Sequence, residues 1–232
     1  MKTFFSKKRN YVLPLVVLLA TTMGFSKFDS HAEKVLDKDS RLYDQLQLSD
    51  IGLRSEVFFK ALSGWKILDE KHCIGKSNLL SIADMSQSSN SKRLYVIDLA
   101  AGRVLFNTYV AHGRNSGEEF AQNFSNKPES FQSSLGFYLT EGTYNGAHGL
   151  SMKLKGLEKG INDDAEQRGI VMHGAPYVSK EFIDQFGRLG RSQGCPAVPE
   201  DQCSPIVNSI KDGSCFFMFY PDSSYFNMSE LF

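Results

Sequence analysis

The chain reads as mainly β, with a helical segment ahead of the strands and one short helix late in the sequence. Three observations carry that reading. Apolar residues recur at three- and four-residue steps from Glu33 to about Leu68, the period of a helix with one buried face. From Leu79 the period changes to short branched and aromatic runs separated by turns rich in Ser, Asn and Gly, which is the pattern of strands. At 232 residues, 41% of them apolar, the chain has material for one sizeable core with an N-terminal appendage.

At the N-terminus, Lys7-Lys8-Arg9 precede an apolar run from Tyr11 to Phe25, broken by Pro14 and shorter than the roughly 20 residues a spanning helix needs. That is the build of a secretory signal peptide, with Ser30-His31-Ala32 as a small-x-small cleavage site. Residues 1–32 are therefore read as a signal segment and the protein as periplasmic or secreted; an uncleaved anchor is the second reading. Residues 1–32 hold five basic residues and one acidic one, so a neutral chain becomes a mildly acidic one of 21 against 25. No clustered Lys/Arg stripe exists for nucleic acid, and Gly113-Arg114-Asn115-Ser116-Gly117 lacks the lysine and helix of a phosphate-cradling loop.

Residues 33–70 make the helical segment. Val57, Phe58, Ala61, Leu62 and Trp65 are its core side chains, with Ser55 as N-cap and Glu56 in the first turn. Residues 71–232 make the β domain. Leu79 to Asp84, Lys92 to Leu99 and Arg103 to Ala111 read as strands, the last two joined through Ala100-Ala101-Gly102 as a hairpin. A long polar loop, Gly113 to Pro128, has His112 at its mouth. Further strands are expected at Leu135 to Thr140, Leu150 to Leu154, Gly169 to His173 and Ser214 to Tyr220, with a short helix from Val178 to Gln185.

The chemistry concentrates between Gly169 and Pro199. His173 ends the run Ile170-Val171-Met172 and precedes Gly174, so its ring projects from a strand end as a fixed base would. Cys195 lies between Gly194 and Pro196, a turn open to substrate, which suits a thiol that attacks carbonyl carbon as the thiolate. Either residue alone is more often a structural side chain. Together with Ser192 and Gly194 they form a compound pattern, His-Gly followed by Ser-x-Gly-Cys.

That pattern resembles the catalytic domain of the murein L,D-transpeptidases, the YkuD-like family, in a divergent branch. Ser134-Leu135-Gly136-Phe137-Tyr138 and Val110-Ala111-His112-Gly113-Arg114-Asn115-Ser116-Gly117 are similar to further segments of it, and the likeness runs from about Lys60 to Asp222. The resemblance implies a β-sandwich-like core, over which the short helix from Val178 would be a lid, and a cysteine L,D-transpeptidase acting on peptidoglycan stem peptides through a thioester. Cys195 would be the nucleophile and His173 the base, with Gly194 and Ser192 shaping the oxyanion turn. Three departures stand out: Gln193 where a second histidine is usual, Ala197 where an arginine is usual, and a longer interval between His173 and Ser192. Arg191 and Arg188 are the substitutes expected to hold a substrate carboxylate, and His112 and Gly174 are expected at the cleft.

An L,D-carboxypeptidase at the same site and a non-catalytic wall-binding protein are the alternatives. The resemblance implies no cofactor, and no Cys-x-x-Cys or His-x-x-x-His spacing marks a metal site. The expected molecule is a monomer whose partners are stem peptides. Of the remaining cysteines, Cys73, Cys203 and Cys215, the shortest bridge is Cys203–Cys215, with Cys215 as a buried core thiol the other reading. His148 also precedes a glycine and is ranked below His112 for the cleft, while His72 and His31 are read as surface.

Overall fold

The computed structural model describes residues 37–76 and 78–232, so the signal-segment reading of residues 1–32 falls outside the described residues. Residues 41–232 form one unit. Residues 37–45 are helical, and a longer helix, α1, spans Ser55–Glu70, with Glu56 in its first turn and Arg54, not Ser55, at the N-cap. Its buried face is Val57, Phe58, Ala61, Leu62 and Leu68, at the steps the sequence shows, and Trp65 is half-buried against the same core.

Eight strands follow: β1 Leu79–Asp84, β2 Leu94–Asp98, β3 Arg103–Thr108, β4 Gly136–Gly146, β5 Gly149–Gly156, β6 Val171–Gly174, β7 Ala197–Val198 and β8 Cys215–Phe219. They make one sheet in the order β3-β2-β1-β8-β4-β5-β6-β7. The pairs β1–β8 and β6–β7 are parallel and the rest antiparallel. Side chains alternate along each strand, so each face feeds its own core. Cys215, Phe217 and Phe219 of β8 join α1 on one face, where the Phe137 and Phe217 rings stack at 4.1 Å. Phe216 and Met218 point to the other face.

That second core takes residues from β2 and from β6 and β7, which stand near opposite ends of the strand order, so the sheet is rolled around it. The chain just beyond β3 completes the roll, because Ala111 bridges Ala197 of β7, with its N–H 2.8 Å from the Ala197 carbonyl. Mainly β, with a rolled and sandwich-like core, is therefore the architecture.

Three helices complete the fold: α2 Lys180–Phe186, α3 Glu200–Ile210 and α4 Ser223–Met228. Helix α2 is the expected lid helix, capped by Ser179, whose hydroxyl accepts from the Phe182 N–H, and closed by Gly187 in the left-handed region. Helix α3 is an element the sequence reading does not include, and it holds Pro205 within it. Cys203, Ile206, Val207 and Ile210 bury its apolar face in the second core. The β4–β5 hairpin is also longer than the sequence indicates, reaching residues 146–149 before it turns. The four cysteines are free, and the Cys203–Cys215 pairing is absent for a geometric reason: Cys203 belongs to the second core and Cys215 to the first.

Candidate active site

Strands β6 and β7 run parallel, with His173 opposite Ala197 and Gly174 opposite Val198. Cys195 precedes Ala197 by two residues, so it enters beside Val171, and Val171 and His173 share one face of β6. The sulfur is thus one strand spacing across and two residues along from the imidazole, about 5 Å by 7 Å between backbones. The Val171 N–H points at Sγ at 3.5 Å, and Sγ lies 3.7 Å from the Gly169 carbonyl.

The turn that carries the thiol is held from several sides. Ser192 Oγ donates to the Cys195 carbonyl at 2.6 Å and accepts from the Gly194 N–H at 3.0 Å. Gly194 has φ +124°, a conformation that disfavours a side chain, and a Cβ there would lie 2.9 Å from the Gln132 carbonyl. Behind the turn runs the His112–Gly113 segment. The His112 carbonyl accepts from the Ser192 N–H at 3.0 Å, the Arg114 N–H donates to the Ser192 carbonyl at 2.8 Å, and Ser133 Oγ links the Gly113 N–H to the Gly194 carbonyl. A Cβ on Gly113 would meet the Phe131 carbonyl at 2.5 Å and Gly194 Cα at 2.9 Å, so only glycine lets these backbones approach so closely.

Cys195 and His173 line one open cleft of about 620 Å³. Its walls come from the tip of the β4–β5 hairpin (Tyr144, His148), from Glu129 and Phe131, from Tyr177 ahead of the lid helix, and from Arg168, Arg191 and Gln193. His173 Nδ1 is 2.9 Å from the Gly174 carbonyl, which assigns the proton to Nδ1 and leaves Nε2 as the free lone pair. Burial lowers the His173 pKa below its ordinary value, opposed by that carbonyl and reinforced by His148, whose ring stacks on it at 4.4 Å and 19°. Burial raises the Cys195 thiol above its ordinary value, while the Val171 N–H and the Arg168 guanidinium pull it down. Both shifts favour the uncharged forms, a thiol and an imidazole lining the same cleft.

His112, expected at the cleft, is buried away from it. Its Nδ1 accepts from the Arg93 guanidinium at 2.7 Å and its Nε2 is 3.3 Å from the Gly117 carbonyl. Burial, reinforced by Arg93, pushes its pKa down to about 3, so it is a neutral scaffold residue. His148, ranked below it, is the histidine that reaches the cleft. Three His-Gly pairs look alike in sequence, and only the topology separates His112, behind the cysteine turn, from His148, at a hairpin tip stacked on His173.

Gly174 also lies outside the cleft wall. It is buried under α3, where a Cβ would come within 3.1 Å of Cys203 Cβ, and its contribution to the site is the carbonyl on His173. Arg191 is in the wall but is engaged with Glu118 at 2.6 Å and with the Arg114 and Gly117 carbonyls. Arg188 pairs with the other Glu118 oxygen at 2.9 Å and is not a wall residue. Ala197 is buried in a small apolar cluster with Ala111, Ala175, Val178 and Leu189. Arg168 and Arg93 carry no local sequence signal that marks them; each is recognisable only from the loops it ties together.

A family model of the L,D-transpeptidase catalytic domain matches residues 50–219. Among solved structures, the chain is similar to an L,D-transpeptidase from Mycobacterium smegmatis at 14% identity and TM-score 0.38, over 62% of this chain and 59% of that one. It is similar to the helical cell shape determining protein Pgp2 from Campylobacter jejuni at 16% identity and TM-score 0.39, over 71% and 56%. A third is L,D-transpeptidase 3 from Mycobacterium tuberculosis in complex with a faropenem-derived adduct, at 15% identity and TM-score 0.38, over 62% and 60%. The matched regions thus span roughly half to three-fifths of those proteins. No curated protein matches.

Proposed function

The chain belongs to the L,D-transpeptidase catalytic domain family, and from that premise we propose that it is an exported cysteine L,D-transpeptidase acting on peptidoglycan stem peptides. The observation that carries the reading is that Cys195, two residues before β7, and His173, on the neighbouring parallel strand β6, line one open cleft. The basic and then apolar character of residues 1–32 supports export.

In the proposed reaction, His173 Nε2 takes the thiol proton as Sγ attacks the carbonyl that follows the L-centre of the diamino acid in the donor stem. The Gly194 N–H is already engaged by Ser192, so the Cys195 N–H is the turn's donor to the oxyanion. Collapse of the tetrahedral intermediate returns the proton from His173 to the leaving D-residue amine and leaves a thioester on Cys195. An acceptor amine then resolves the thioester, giving its proton to His173. Arg191 is the wall cation for the departing carboxylate, provided it exchanges its bond to Glu118 for the substrate.

The test is direct. A carbapenem incubated with the purified, reduced protein adds its mass to Cys195, and Cys195→Ser shows no adduct and no muropeptide cross-linking on purified sacculi. His173→Ala lowers the acylation rate at neutral pH by roughly a hundredfold or more, and the rate recovers only as pH climbs toward the raised thiol pKa. A folded wild type that never forms the adduct refutes the proposal.

A further inference from the structure

The cysteine motif brings no free cation of its own: Gln193 and Ala197 are uncharged, and Arg191 is tied to Glu118. A thiolate and an oxyanion nevertheless form there, in a site where burial works against charge. The cation on the cleft wall that no carboxylate engages comes from the loop before β6.

Arg168 is half-buried and lines the cleft with Cys195. One of its terminal nitrogens donates to the Ser125 carbonyl at 2.7 Å and to Ser134 Oγ; the other donates to the Gln132 carbonyl at 2.6 Å and to Ser130 Oγ at 3.2 Å. The same second nitrogen lies 3.3 Å from where a Cβ on Gly194 would stand, so the guanidinium rests against the residue that precedes the nucleophile. All four acceptors are uncharged, and among the described residues no carboxylate forms an ion pair with it; Asp164 acts only at a distance. The four terminal N–H groups are occupied by the protein. The side chain is therefore a fixed charge and not a grip for a substrate carboxylate.

We propose that Arg168 is the positioning residue that stabilises the Cys195 thiolate, held in place by the loop it fastens rather than by the cysteine motif. The proposal rests on the reading of Cys195 as nucleophile, but its test needs no transpeptidase turnover. A full positive charge, uncompensated and fixed by four hydrogen bonds in a partly dry wall, favours the anionic sulfur and then the oxyanion without reorganising. His173, His148, Tyr177, Arg191 and Glu129 also face this space. All of them are retained in the variants below, so a difference between variants isolates Arg168.

The experiment is the pH dependence of Cys195 alkylation by iodoacetamide, read by peptide mass spectrometry on the purified protein, for wild type, Arg168→Lys and Arg168→Gln. The thiolate displaces iodide and forms a new S–C bond, so the rate tracks the thiolate fraction. Arg168→Gln keeps hydrogen-bonding groups and loses the charge; its midpoint rises by about one pH unit or more. Arg168→Lys keeps the charge and loses the forked geometry; it recovers most of that rise. An unchanged midpoint in Arg168→Gln, or equal rises in the two variants, overturns the proposal, the second because it would assign the effect to loop geometry. Should Arg168→Gln not fold, Ser130→Asp places a counter-charge on the guanidinium with the arginine present. It raises the midpoint while Ser130→Asn does not; equal behaviour of those two overturns the proposal.

Discussion

Replacing Ser192 by alanine tests whether the turn, and not only the thiol, makes the site. The hydroxyl closes two hydrogen bonds inside four residues, donating to the Cys195 carbonyl at 2.6 Å and accepting from the Gly194 N–H at 3.0 Å. The Ser192 side is buried, so both backbone groups lose their partner where water does not freely replace it. At about 1–1.5 kcal/mol for each group, the loss is ~2–3 kcal/mol. For a domain of this size that lowers Tm by roughly 4–12 °C. The same change frees the φ +124° conformation of Gly194 and lets Cys195 wander, and misplacement of about 1 Å costs on the order of a hundredfold in rate. Urea unfolding gives the first quantity and a mass-spectrometric time course of carbapenem acylation the second. Ser192→Thr, which keeps the hydroxyl, restores most of both. Unfolding within 0.5 kcal/mol of wild type together with wild-type acylation would refute the argument that Ser192 organises the turn.

Three further outcomes follow from the same geometry. Gly113→Ala sets a methyl against backbone on two sides, so it costs about 1–3 kcal/mol and slows acylation although residue 113 lies outside the cleft wall; urea unfolding and the acylation assay measure both. His112→Gln keeps an acceptor for Arg93 but does not titrate. The wild-type histidine has a folded pKa near 3 against about 6.5 unfolded, so its contribution is complete above pH 6.5 and is lost as pH falls toward 3. The variant's stability therefore declines less steeply between pH 6.5 and 5, by ~1.4 kcal/mol per pH unit; parallel slopes count against the assignment. His148→Ala uncovers the His173 ring and removes a neighbour that lowers its pKa, so the acid limb of the acylation profile moves to higher pH. A profile that stays in place shows that His148 does not act on the base.

The readable parts of this chain are those where local pattern and tertiary demand agree. Strand β1 falls on the expected Leu79 to Asp84, because a short apolar run between turns has no other use in a sheet covered on both faces. The His-Gly and Ser-x-Gly-Cys segments do come together, since strands β6 and β7 are neighbours. Helix α3 was legible in principle: Cys203, Ile206, Val207 and Ile210 keep helical spacing, but Pro205 reads as a breaker, and packing against β6 outweighs the hydrogen bond it forfeits. The histidine roles were not legible. Whether His112 or His148 meets the cleft depends on β3 leading to the far edge of a rolled sheet and on how far the β4–β5 hairpin overhangs. Arg168 was hidden for a similar reason, because its four acceptors lie 34–43 residues upstream.

The position of β8 has a consequence for how the molecule comes to exist. It supplies residues 215–219, yet it sits in the interior of the strand order between β1 and β4, and its alternate side chains enter both cores. Without it the strand order breaks between β1 and β4, leaving two open edges there and half-built interiors, with β3-β2-β1 and β4-β5-β6-β7 still meeting where Ala111 bridges Ala197. Folding is therefore gated on a late segment meeting the earliest strand across more than a hundred residues, a non-local closure of the kind that makes β proteins slow to fold. Both cores, and with them the interior of the sheet, are complete only once residues 215–219 have entered between β1 and β4.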